Sequence, residues 1–338
     1  MANFATTWTM THPSYVEPGI ILQINQASGA FDLLATGNPL VRLGSEDKQI
    51  YVKKLEVRHK TIATAGNANF IPSASLVPSW ISAPTYSILS RAEYNHHETA
   101  MMGQWGINIV DAYRLANRQG HFQTLRNFAL YGNLPANGEG LVNAAGATSV
   151  NLPPDTNGSD SARTYDNGQM GQFFLSQLLA TKTRAYQLGL PVRFSVVGPQ
   201  RILGQFEYPN IVQLTSYQRP GAGSTTTVGM IKDVSGLNGD IIEWSYDDTL
   251  QGQGAGGTDM VIISMPEVKK PAGRINTNAF AELAPGLQAC TVMYTDMPAP
   301  MEIPTPLPGG AIDVQFEMRS STGWALRPEG LTLISMTY

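Results

Sequence analysis

From about Glu98 to Tyr131 the sequence keeps a helical period longer than anywhere else in a chain that 33 Gly and 22 Pro otherwise cut into short pieces. Met101, Trp105, Ile109, Tyr113 and Ala116 recur at helical spacing, and Phe122, Leu125 and Phe128 resume the pattern after a hesitation at Gly120. The pattern predicts one long, bent helix, stopped by Gly132-Asn133 with Pro135 behind it. Gly and Pro fall mostly between apolar runs, which argues for many short strands and long turns around a few helices.

Before the helix, residues 1 to 44 carry isolated apolar positions separated by Pro and Gly, a composition suited to an extended arm lying on other structure. Gln49 to Ile62 is rich in β-branched residues, and after a turn near Thr64 to Asn69 a second extended piece runs through Leu76, Val77, Trp80 and Ile81 to Ile88. Together they predict a long, thin hairpin. A two-stranded ribbon is marginal alone and needs a neighbour to pack against.

After the helix, Asn167 to Leu188 predicts a second helix, with Phe174, Leu178, Thr181, Ala185 and Leu188 on one face and Gly189 ending it. A strand (Arg193 to Val197), a Gly-Pro turn, a short helix (Gln200 to Phe206) and turn-rich strands follow. Tyr217 to Thr227 and Asp247 to Thr258 read as loops. Ala311 to Arg319 alternates as a half-buried strand, and Leu331 to Met336 closes as an apolar one. No internal repeat is visible.

Catalytic equipment is sparse. Gly252-Gln-Gly-Ala-Gly-Gly257 fits G-x-G-x-x-G, but a dinucleotide site needs a strand before it and a helix after it, and here the strand Asp259 to Ser264 follows. The five histidines all lie in the first 121 residues. Glu93, His96, His97 and Glu98 are the one metal-ligand-like cluster, read as a solvated or interface feature. Asp155 to Asp166 echoes a calcium loop but lacks its sixth-position Gly and twelfth-position Glu, so an Asx-rich turn is expected. Cys290 is the single cysteine, read as a small buried hydrophobe; it excludes an intrachain disulfide and fits a reducing compartment. With net charge -4 and no Lys/Arg cluster beyond the pairs Lys53-Lys54 and Lys269-Lys270, tight phosphate-driven binding of nucleic acid is not expected. No window approaches ~18 apolar residues, and the start has neither the basic flank nor the apolar stretch of a signal peptide, so a cytoplasmic protein is expected. These readings predict no enzyme, cofactor or metal. Charged residues make up only 14% of the chain, against roughly 25% in an average domain, as if much of the surface were covered by something else.

Three stretches in this order carry a resemblance. The long helix ends in Leu130-Tyr-Gly-Asn133 and is followed by Gly138-Glu-Gly-Leu-Val-Asn143; the second helix runs into Val196-Val-Gly-Pro-Gln-Arg-Ile-Leu203; Glu317-Met-Arg319 leads through Ala325-Leu-Arg-Pro328 to Leu331 to Ile334. From about residue 45 to 338 the chain resembles the major capsid protein of Hong Kong 97-type tailed phages. The resemblance implies an α+β fold with an N-arm (1-44), an extended β-hairpin loop (45-84), a peripheral domain with the long spine helix (85-154), an axial domain (155-299) and C-terminal strands returning to the peripheral domain (300-338). It also implies a structural subunit forming pentamers and hexamers in an icosahedral shell that encloses double-stranded DNA without reading its sequence. Separate scaffolding, portal and decoration proteins are its possible partners, no membrane is involved, and the place is the virion, assembled in the bacterial cytoplasm. Lys53, Lys54, Arg58 and Lys60 on the hairpin are the candidate inter-subunit contacts; keeping an exposed ribbon soluble would account for them equally well. An encapsulin-like compartment shell and, from another class, a β-rich carbohydrate-binding or hydrolytic domain are the alternatives.

Overall fold

The structure, a computed structural model, describes residues 41–44, 46–58, 75–104, 106, 108–155, 158–185, 187, 189–207, 226–237, 239–267, 292–293, 295–296 and 301–338. The arm up to residue 40, the hairpin turn near Thr64 to Asn69 and Cys290 lie outside them.

The chain enters through β1 (Val41–Arg42) and then β2 (Gln49–Arg58), which pairs antiparallel with the 21-residue β3 (Ser75–Asn95), from Gln49↔Pro84 to Arg58↔Ser75. This is the predicted hairpin, and its second strand runs seven residues past the expected Ile88. Strand β3 passes directly into α1 (His96–Gln104), and α2 (Ile109–Leu130) follows. The expected single helix is therefore two. Gly106 adopts a left-handed φ of +71, which ends α1. Asn108 then starts α2 afresh: its side chain accepts from the Val110 N–H at 3.1 Å and donates to Asp111 at 2.7 Å. Gly120, where the hydrophobic pattern falters, sits inside an unbroken α2.

Strand β4 (Thr148–Asn151) leads to α3 (Asn167–Arg184), capped by Asp166 through the Gly168 N–H. Helix α3 stops at Ala185 rather than at Leu188, and Gly189 (φ +77) belongs to the turn beyond it. Next come β5 (Arg193–Gly198), α4 (Gln200–Glu207) and α5 (Thr227–Leu237). Helix α5 stands where strands and loop are expected: Gly229, Gly236 and its β-branched residues argue against helix locally. Packing overrides propensity there. Ile231 is fully buried in the core, and the Thr226 hydroxyl accepts from the Gly229 N–H at 3.0 Å at the helix start. The chain continues through β6 (Ile241–Tyr246), β7 (Asp259–Ser264), β8 (Val292–Met293), β9 (Thr295–Asp296), β10 (Met301–Pro306), β11 (Ala311–Ser321), β12 (Trp324–Ala325) and β13 (Leu331–Met336).

Two larger sheets organise these elements. One has the order β10-β11-β3-β2, with β11 pairing along β3 from Ala311↔Asn95 to Ser321↔Thr85. The other, β4-β13-β7-β5-β6, mixes parallel and antiparallel pairs. Its middle strand β7 is buried at every position, which explains an apolar run without alternation. Val261 and Ile263 face a core with Phe174, Leu178, Phe206 and Ile231; Met260 and Ile262 face a second core with Ala129, Leu130, Leu141 and Leu250. The C-terminal end of α2 is thus anchored in the second sheet while its length lies on the first. Two ion pairs tie the helices of this layer to its strands. The Lys182 ammonium bonds Asp240 at 2.8 and 2.9 Å with both side chains largely buried, and Arg201 forks onto the buried Asp259.

Candidate inter-subunit surface

The residues in the motifs that could carry chemistry make local contacts. Among the described residues no three His, Cys, Asp or Glu side chains come together as a metal site. Glu98 accepts from the Asn95 N–H at 3.1 Å while Asn95 accepts from the Glu98 N–H at 2.8 Å, a reciprocal capping box at the start of α1. Glu93 is bonded to Arg91, and the rings of His96 and His97 lie 3.9 Å apart. Asp155 closes a turn on the Ser159 N–H at 2.8 Å. Gly252 donates to Asp259 at 3.0 Å within a turn leading into β7, so the glycine string closes a loop at a strand's entrance.

The hairpin presents a different picture. Register places Ile50, Val52, Ile81 and Ala83 on one face, and near the base these pack on Leu43, Trp324 and Leu326. The opposite face carries Tyr51, Lys53, Leu76 and Trp80, with Tyr51, Leu76 and Trp80 each 60% or more exposed. From Ser75 to Trp80 every position is exposed, so toward its tip β3 is covered on neither face by the described residues. Large exposed apolar side chains on a thin ribbon mark an interaction surface.

Of the predicted contacts, Lys53 lies opposite Trp80 with its ammonium 5.6 Å from the ring centroid, a cation–π distance. Lys54 pairs with Ser79, and strand alternation turns it to the other face, so the two lysines do not act together. The backbone of Arg58 pairs with Ser75 at the far end of the described ribbon; its side chain and Lys60 lie outside the description.

Helix α2 also carries exposed apolar side chains. Among its described residues only Ile109, His121, Ala129 and Leu130 are buried, whereas Leu115 and Phe122, seven residues apart and so on one face, are exposed. Beside it, Arg114 clamps Glu302 of β10 through three bonds of 2.9 to 3.1 Å.

One residue that organises the junction was missed in the sequence. Glu139, buried in the junction after α2, accepts from the Asn133 and Leu134 N–H groups at 3.1 and 2.8 Å and from the Tyr86 hydroxyl of β3 at 2.8 Å. Burial, and then the bond to Glu139, raise the Tyr86 pKa above its ordinary value. The string Gly138 to Asn143 marked the place, but nothing in it named Tyr86 as the partner.

No protein-family model matches the chain, and no curated protein does. Solved structures do. The chain is similar to the capsid of Myoviridae phage XM1 with a TM-score of 0.68 at 10% identity, covering 95% of this chain and 96% of that one. A chain of Gordonia phage Cozz matches with a TM-score of 0.55 at 15% identity, over 97% and 92%. The capsid of a native GTA particle matches with a TM-score of 0.55 at 10% identity, over 99% and 98%. The chain has an α+β capsid-protein fold, as the sequence resemblance implies.

Proposed function

We propose that this chain is the structural subunit that self-assembles into the icosahedral capsid enclosing a phage double-stranded DNA genome, and that it has no enzymatic activity. The observation that carries the reading is the ribbon of β2 and β3: among the described residues it projects exposed apolar side chains, on a fold shared over nearly the whole length with the XM1 capsid. A closed shell needs such surfaces. Many copies in pentamers and hexamers, each reaching over a neighbour, sum individually modest contacts into a stable wall. Lys53 and Lys54 then serve, each on its own face of the ribbon, as separate contacts to acidic groups of neighbouring copies, and Arg58 and Lys60 are proposed for the same role. The net charge of -4 suits a wall that surrounds DNA without adhering to it. Residues 1 to 44 act as an arm in the same contacts, and assembly takes place in the host cytoplasm before the virion is released.

Electron microscopy and sedimentation of the expressed chain test the reading. Closed shells, capsomers or tubes are the expected products, and a compact monomer at high concentration, with and without a co-expressed scaffolding protein, would overturn it.

A further inference from the structure

Helix α2 crosses the first sheet antiparallel to β3. Tyr113 stacks on Tyr94 with centroids 6.1 Å apart, His121 meets Ser90, and Phe128 meets Tyr86 edge-on at 5.7 Å. His121, in the middle of this contact, is only 3% exposed. Its Nε2 is 3.0 Å from the Ser90 hydroxyl, and its Nδ1 is buried with no partner.

A neutral imidazole tolerates this site, because one hydroxyl can donate to or accept from Nε2. An imidazolium carries two N–H donors and a charge, and so needs two acceptors. The surroundings do not supply them. On β3 the titratable groups of this sheet side are Tyr86 and Tyr94. On β11 the side chains in register with them are Ile312, Val314, Phe316, Met318 and Ser320, while Asp313, Glu317 and Arg319 alternate to the other side. Helix α2 itself brings Asp111, Arg114, Arg118 and Arg126, and the junction brings Glu139, which is bonded to Tyr86. Among the described residues no carboxylate bonds the His121 ring.

We propose that His121 makes the packing of α2 on the sheet an acid-sensitive latch, closed while the ring is neutral and loosened when it takes a proton. The sign follows from burial, which lowers the His121 pKa below the ordinary histidine value. The released helix binds the proton more readily than the packed one. The packing is therefore at full strength above about pH 6.5, the unperturbed value, and weakens as the pH falls from there toward the lowered pKa. The latch is a property of the single chain and goes beyond the assembly reading.

Amide hydrogen exchange of the full chain, corrected for the intrinsic pH dependence, tests it at pH 7.5 and 5.0. Residues 109 to 130 and the facing part of β3 should lose about tenfold protection at pH 5.0, whereas β7 and β13 hold theirs; His121→Gln, which cannot take a proton, should remove the difference. Equal loss in wild type and His121→Gln, or none in wild type, would overturn the proposal. Should His121→Gln fail to fold, a proton NMR titration of the wild-type histidines decides: one ring titrating below the ordinary value and shifted by Ser90→Ala supports the latch, and five ordinary titrations sink it.

Discussion

At the residue scale, three glycines lock the end of α2 to its surroundings. Gly132 (φ +70) and Gly140 (φ +82) both take left-handed backbone; a Cβ on the first would lie 2.5 Å from the Glu139 Cβ and one on the second 2.4 Å from the Tyr131 carbonyl carbon. A Cβ on Gly323 would lie 2.5 Å from the Ala129 carbonyl oxygen; this glycine donates to the Phe128 carbonyl at 3.1 Å and accepts from the Gly140 N–H at 3.1 Å. Gly140→Ala is expected to cost about 3 kcal/mol or more, since strain and backbone overlap add, and chemical denaturation would measure it. Gly120→Ala is the contrasting case. That site is exposed, inside α2 and open to a methyl group, so a gain of about 0.5 to 1 kcal/mol is expected in the same assay. Tyr86→Phe should cost about 1 to 3 kcal/mol by leaving Glu139 one donor short. The glycine string was legible in the sequence as a junction. Its bond to Tyr86 was not, because a contact across 53 residues has no local signature.

At the element scale, strands and helices fell where apolar period and punctuation agreed, as in β5, α4, β7, β11 and β13. They departed where a local signal was weak or a distant one stronger. The interruption at Gly106 could have been read from Asn108-x-x-Asp111, but the hydrophobic spacing runs straight through it. Helix α5 owes its existence to burial of Ile231, which no propensity reports. The buried pair Lys182–Asp240 ties α3 to the start of β6, and Asp240 also accepts from the Val192 N–H at 2.9 Å. Lys182→Met should destabilise by about 3 to 5 kcal/mol through the unpaired carboxylate, and the double change with Asp240→Asn should cost less, measured by a double-mutant cycle. The hairpin behaves oppositely. Trp80→Ala should leave the unfolding free energy of the subunit within about 0.5 kcal/mol, because the side chain is exposed. Particle yield by sedimentation should fall sharply if the ribbon works between copies.

At the scale of the whole molecule, the second hydrophobic core joins the end of α2 to the five-stranded sheet, so the two larger sheets share one helix. A single unfolding transition is expected, with far-ultraviolet circular dichroism and the fluorescence of the five tryptophans coinciding. By itself the sequence determined a chain of mixed helices and strands with one dominant rod, a hairpin and poor catalytic equipment, because these follow from period, punctuation and composition; the capsid reading came from the resemblance that three stretches, in their order, bear to a known family. Only the tertiary structure decided that the rod is two helices, that Glu139 and His121 are buried on β3, and that the described apolar side chains of the hairpin's outer face are exposed. Burial and pairing across long sequence separations create those features, and a linear pattern holds the residue types for them without saying which will meet.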